Sequence, residues 1–298
     1  MFRLLQSIKE LVLGSILVMA IFLFATIIIN AVSFNNSAMA QGVVHKTVEF
    51  KSEDDLKITG DVYRPSGLSS TVIVLFHQAG SSRGEYRDIA PVLVKLGYMV
   101  LAIDQRSGRS FAGIDNETNQ EAVMEEKKIG YLQTIPDLKA AVAYARKDMG
   151  AKRVAVWGSS YSAALVLVLA GQDAGFADAV LSFSPGEYFR GNPSVGAAAK
   201  SIKVPTFITS ARKEITQWLP IYNAIGEDVD AVEYRPRAIG QHGSSALLPV
   251  YSLKTEGYWL AVKEFLKAYV PVIEGKKEKA ADGEVKATDG GADKVKAQ

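Results

Sequence analysis

A mostly parallel α/β fold, with helices on both faces of the sheet and an antiparallel strand pair at its N-terminal side, is what the sequence predicts. Three observations point to it. Short, wholly apolar runs rich in β-branched residues recur without polar alternation, as expected of strands covered on both faces. Stretches with apolar residues at helical spacing separate those runs. Ahead of them lies a segment that alternates inward and outward, the mark of a half-covered antiparallel pair.

The elements follow in order. Val44, Thr47 to Phe50 and Leu56 to Tyr63 form the alternating pair, with Glu53-Asp54-Asp55 as its turn. Thr71 to Phe76 is the first fully apolar strand, and Tyr98 to Ile103, Arg153 to Trp157, Ala179 to Phe183 and Val204 to Thr209 repeat its texture. Ala231 to Ile239 is more polar and suits an edge. Between them, Tyr86 to Leu96 places Ile89, Ala90, Leu93 and Leu96 on one helical face. Ile135 to Lys147 does the same with Leu138, Ala141, Val142 and Ala145, and Pro136 suits its first turn. Ser162 to Ala170 is small and apolar, and Tyr258 to Val270 closes the series with Trp259, Val262, Phe265, Leu266 and Tyr269. No linker-like stretch divides the body, so 41–274 reads as one domain. Residues 107–131 are too long for a plain connector and read as a candidate lid. The charged tail 275–298, with no aromatic residue, is expected to be disordered.

Composition narrows the function. The chain has 298 residues, with 34 Lys and Arg against 32 Asp and Glu, which speaks against a nucleic-acid partner. It has no cysteine, which removes disulfides, a thiolate nucleophile and Cys-based zinc sites. With three histidines, His45, His77 and His242, a His-rich metal site is not expected, and no cofactor is called for.

The N-terminus carries an address. Arg3 and Lys9 precede the apolar run Leu11 to Ile29, and Ser37-Ala38-Met39-Ala40 follows before Gln41. Residues 1–40 therefore read as a signal peptide cut after Ala40, or as an uncleaved membrane anchor through 11–29. Both readings export the body of the protein, to the periplasm or beyond, because the positive charges lie before the run.

The strongest chemical signal is Val154-Ala-Val-Trp-Gly158-Ser159-Ser160-Tyr161-Ser162, where an apolar strand meets a helix through a turn of small residues. Such a turn holds a serine hydroxyl free of the backbone and aims the next amide, that of Tyr161, into the site. The two-residue offset from Gly158 selects Ser160 over Ser159 and Ser162. A serine needs a base to take its proton. His45 reads as a solvated surface residue, and His77, directly after a strand, as a backbone-shaping one. His242 sits between glycines in Gly240-Gln-His242-Gly243 and is the best placed of the three. The imidazole in turn needs a carboxylate, for which Glu214, just past Val204 to Thr209, leads Asp228 and Asp230.

Taken together, His77-Gln-Ala-Gly80, Asp104-Gln-Arg106-Ser-Gly108, Gly158-Ser-Ser160-Tyr-Ser162, Glu214 and Gly240-Gln-His242-Gly resemble the α/β-hydrolase superfamily from about Val48 to Val270. The resemblance is particularly to the single-domain branch of dienelactone-hydrolase-like and serine-aminopeptidase-like proteins. The resemblance implies Ser160 as nucleophile, Glu214 as acid and His242 as base, with the amides of Tyr161 and of Ala79 or Gln78 as the oxyanion hole. It gives Asp104 and Arg106 a structural part. Ser162 stands where glycine is usual.

The expected activity is hydrolysis of an ester, thioester or amide of a small molecule, without metal or cofactor. An esterase is favoured over a serine peptidase because only the short connection Ser184 to Lys203 stands where a large cap is common. Phe111, Tyr131, Tyr188 and Phe189 are candidate walls of an acyl pocket. A binding or scaffold protein with a degenerate site is the alternative.

Overall fold

The computed structural model describes residues 45–190 and 192–275. The leader or anchor expected at 1–40 lies outside the described residues, as does the tail beyond Gly275. Among the described residues, no helix is long and apolar enough to cross a membrane.

The strands are β1 (His45–Lys51), β2 (Lys57–Tyr63), β3 (Thr71–Phe76), β4 (Met99–Ile103), β5 (Arg153–Ser159), β6 (Ala179–Phe183), β7 (Thr206–Thr209) and β8 (Ala231–Tyr234). They form one sheet in the order β1-β2-β4-β3-β5-β6-β7-β8. The pairs β1·β2 and β2·β4 are antiparallel, and every other pair is parallel. The helices are α1 (Ala90–Lys95), α2 (Glu117–Met124), α3 (Ile135–Lys147), α4 (Tyr161–Gln172), α5 (Val195–Ala199), α6 (Ile215–Asn223) and α7 (Glu256–Tyr269).

Strand β3 shows why its sequence is apolar throughout. Val72, Val74 and Phe76 enter one core with Leu138 of α3, Leu165 of α4 and Trp218 of α6. Ile73 and Leu75 enter the other with Leu93 of α1 and Phe265 of α7. From Val72 on, alternate side chains thus serve two separate layers, which leaves no position for a polar residue beyond Thr71 at the start.

Several boundaries moved for identifiable reasons. β7 starts after Pro205, and β8 ends two residues before Pro236, each limited by a residue with no amide hydrogen. The helix expected from Tyr86 is α1 alone, preceded by a 3-10 turn at Arg83–Tyr86. Helices α5 and α6 were not anticipated. α6 carries an internal proline, Pro220, which masks its pattern, although Trp218 and Ile221 are buried.

The segment 107–131 contains α2 and is tied to the sheet. Arg83 joins Asp104, Glu117 and Asp61. Arg106 forks onto Asp137 and Asp54 with N–O distances of 2.6 and 2.7 Å. Thr118 accepts the Thr59 amide at 2.9 Å. These contacts give Asp104 and Arg106 the structural part expected of them.

Candidate active site

All the chemically interesting residues follow parallel strands, at their C-terminal end: His77 after β3, Ser160 after β5, Ser184 after β6, Glu214 after β7 and His242 after β8. Ligands of open α/β sheets bind at this rim, outside the carboxyl ends of the strands.

The turn at Ser160 is set by its neighbours. A Cβ on Gly158 would lie 2.3 Å from the Ser162 carbonyl oxygen, so only glycine lets α4 fold back directly over the end of β5. Ser160 then takes φ 59° and ψ −123°, a strained conformation costing about 1–3 kcal/mol. Its amide donates to the Phe183 carbonyl at 2.8 Å, which fixes the turn against β6. Ser162 is fully buried in place of the usual glycine. Its hydroxyl donates to the His77 carbonyl at 2.6 Å and accepts from the Gln105 side-chain amide at 2.9 Å. The extra oxygen is thus fully used in fastening this turn to two neighbouring strand ends.

The three side chains expected together are together. His242 Nε2 lies 2.7 Å from Ser160 Oγ, and His242 Nδ1 lies 2.9 Å from Glu214 Oε1. The carboxylate accepts only, so the proton sits on Nδ1 and the Nε2 lone pair faces the serine hydroxyl. Burial pushes the Glu214 carboxyl up, but hydrogen bonds from His242 and Ser184 outweigh it and hold the group below its ordinary range. Asp228 instead pairs with Lys203 at 3.0 Å on the surface, and Asp230 is exposed. His45 is exposed and 3.6 Å from Asp61.

One residue escaped the sequence reading. Ser184 Oγ donates to Glu214 Oε2 at 2.8 Å and accepts the Gly243 amide at 2.8 Å, so it joins the acid to the loop that carries His242. Its only signal was a serine directly past an apolar strand, with no glycine ahead of it to mark a turn.

His77 is buried, and burial lowers its pKa to about 4, which keeps it neutral. Its Nδ1 donates to the Gln78 carbonyl at 2.7 Å, and its Nε2 accepts the Gln105 amide at 2.9 Å. In a trans peptide the C=O and N–H point in opposite directions, so this bond turns the Ala79 amide away from the ring. Gln78 itself donates its amide to Glu85 Oε2 at 2.7 Å, which removes it from the pair of expected oxyanion donors. The amides of Ala79 and Tyr161, the latter in the first turn of α4, donate to no described residue.

The candidate pocket walls divide. Tyr188 bonds the Ser184 carbonyl at 2.8 Å and its hydroxyl lies beside Ser160. Tyr131 stacks on Tyr161 with centroids 4.3 Å apart. Phe189, by contrast, packs into the core, and Phe111 forms a small turn with Ile114 over Ser82.

Comparison with known proteins agrees with this architecture. An esterase of Pyrococcus furiosus superposes with a TM-score of 0.61 at 23% identity, covering 77% of this chain and 94% of that one. A dienelactone hydrolase of Anabaena variabilis gives 0.57 at 19% identity, covering 76% and 98%. An acylaminoacyl peptidase of Pyrococcus horikoshii gives 0.60 at 17%, covering 85% of this chain and 45% of the other. These likenesses concern the fold. In sequence, the quorum-quenching protein AidA of Acinetobacter baumannii is 32% identical over 142 residues, 46% of this chain and 43% of that protein's length. The sequence profile of the dienelactone hydrolase family matches residues 58–217, a span that runs from β2 through the Ser160 turn into α6. With the eight-stranded sheet and the match over more than half its length, the chain belongs to the dienelactone hydrolase family, a family of hydrolases.

Proposed function

We propose that the protein is a serine hydrolase that cleaves an ester of a small molecule through an acyl-enzyme on Ser160. The observation that carries this reading is the unbroken chain from Ser160 Oγ to His242 at 2.7 Å and on to Glu214 at 2.9 Å. Ser160 Oγ attacks the carbonyl carbon while His242 Nε2 takes its proton. Glu214 holds the ring by Nδ1–H and stabilises the positive charge that the ring gains. The carbonyl oxygen becomes an oxyanion held by the amides of Tyr161 and Ala79. The tetrahedral adduct collapses, His242 returns the proton to the departing alcohol, and the acyl group stays on Ser160. Water, deprotonated by His242, then releases the acid and restores the serine.

An ester fits better than a peptide. The connection from β6 to β7 is short and carries only α5, and two of the esterases or dienelactone hydrolases compared match this chain along nearly their full length. Tyr188, beside Ser160, and Tyr131, stacked on Tyr161, would flank the acyl or alcohol group. Residues 107–131 would form one side of the entrance. The apolar run Leu11 to Ile29 supports work outside the cytoplasm, with or without cleavage after Ala40.

A fluorophosphonate probe tests the reading. Folded protein should be labelled once, and Ser160→Ala should remove both the label and the hydrolysis of p-nitrophenyl esters. Labelling that persists in Ser160→Ala would refute it.

A further inference from the structure

Glu85 is the one buried acid near the site that the proposed mechanism does not use. It lies in the 3-10 turn Arg83–Tyr86, is 1% exposed, and accepts the Gln78 amide at 2.7 Å through Oε2. Its other oxygen, Oε1, is buried with no hydrogen-bond partner among the described residues. The groups facing it come from three elements. The loop after β3 presents the Gln78 amide and the Ser81 hydroxyl, the end of β5 the Ser159 hydroxyl, and His242 of the loop after β8 lies near enough to act on its charge without touching it. On its own turn, Tyr86 is the neighbouring titratable group. Ser159 in turn accepts the Ser244 amide at 3.0 Å. The packing is tight, since a Cβ on Gly243 would lie 2.4 Å from Ser159 Oγ and 3.2 Å from Gln78 Oε1.

A carboxylate here would hold its charge in the interior with one oxygen making no hydrogen bond to a described residue, although the Ser81 and Ser159 hydroxyls lie beside it, which is costly. A carboxylic acid places its proton on that oxygen and becomes a donor itself. Ser159 Oγ, which has a second lone pair, lies alongside to accept it. The neutral form also keeps a fixed negative charge away from the neighbouring Ala79 peptide, where the oxyanion would develop.

We infer that Glu85 is a positioning residue that acts as the neutral acid, holding the Gln78–Ala79 peptide through Oε2 and reaching Ser159 and the histidine loop through the proton on Oε1. This rests on the proposed serine-hydrolase reading and extends it. Burial pushes the Glu85 carboxyl up to about 7, against the pull of its hydrogen-bond donors and of His242. Ionisation above that pH, with the proton passing to solvent, sets a charge one residue from the Ala79 amide and disfavours the oxyanion. Turnover should therefore fall as pH rises past neutral.

Two variants of the full chain test this, read by p-nitrophenyl ester hydrolysis. Glu85→Gln keeps an acceptor for the Gln78 amide and a donor for Ser159 but does not ionise. It should retain kcat below neutral pH and lose the alkaline decline. Glu85→Leu should lower kcat by roughly 100-fold with little change in KM, the effect of a misplaced oxyanion donor. Infrared spectroscopy should show, below neutral pH, a protonated-carboxyl band that is missing from Glu85→Gln, a readout that needs no turnover. The inference falls if that band is absent from the parent protein, if Glu85→Gln declines with pH as the parent does, or if Glu85→Leu turns over normally. These outcomes are separable from failure of the functional reading, which would show as full hydrolysis in Ser160→Ala.

Discussion

The loops after β3 and β8 start from similar sequence and end with their histidines in opposite states. Each sets a histidine among glycine, glutamine and serine, in His77-Gln-Ala-Gly80-Ser81 and in Gly240-Gln-His242-Gly243-Ser244, and both lie at the same end of the sheet. His77 is sealed in, with Nδ1 on a carbonyl and Nε2 on an amide. His242 keeps 40% of its side chain exposed and meets a hydroxyl and a carboxylate instead. A ring with one nitrogen on a carbonyl and the other facing a backbone amide and the Asn116 side-chain amide has one protonation state open to it. A ring between an alcohol and a carboxylate can gain a proton and have the resulting charge compensated. What a histidine touches, more than the residues beside it in sequence, separates scaffold from chemistry.

Exchanging the side chains should break the comparison most sharply in the β8 loop. His242→Ala is expected to reduce kcat by at least ~10³-fold while the urea unfolding midpoint stays near that of the parent. Near-normal hydrolysis would move the base elsewhere.

For His77 the expected effect is on stability and depends on pH. Its folded pKa of about 4 lies below the ordinary 6.5, so the unfolded chain binds more protons between those values. Stability from this residue is therefore full above pH ~6.5 and is lost as pH falls toward ~4, by about 3 kcal/mol at about 1.4 kcal/mol per pH unit. The difference in unfolding free energy between the parent and His77→Gln should shrink by that amount across the window.

The smallest effect should come from Gly80, and the two loops should differ in how they take a methyl group. Gly80 has φ 66° and open space around a Cβ, whereas Gly243 has φ 63° and Ser159 Oγ in the way. Gly80→Ala is expected to cost about 1 kcal/mol, from backbone strain alone. Gly243→Ala should cost roughly 1–3 kcal/mol more through overpacking. Equal urea midpoints for the two would mean that the β8 loop yields more easily than its packing suggests.

Much of this was legible in the sequence because it is locally encoded. The two-sided strands announce themselves by lacking polar residues, and the turn at Ser160 by small residues between a strand and a helix. Glu214 and His242 were readable from their places just past strands. Ser184 and Glu85 were not, because their importance arises from contacts with segments 30 and 7 residues away, and nothing beside them in the chain reports those partners. The exclusion of Gln78 as an oxyanion donor follows from the same buried acid.

Arg83 gathers a carboxylate from β2, one from the turn after β4 and one from the first turn of α2. Losing Arg83 would strand the buried Asp61 and Asp104 carboxylates in the interior, at about 3–5 kcal/mol, whereas Glu117 is half exposed and costs less. Four positions spread from 61 to 117 thus form a single heritable unit. Change within 107–131 should therefore be tolerated around these residues and not at them.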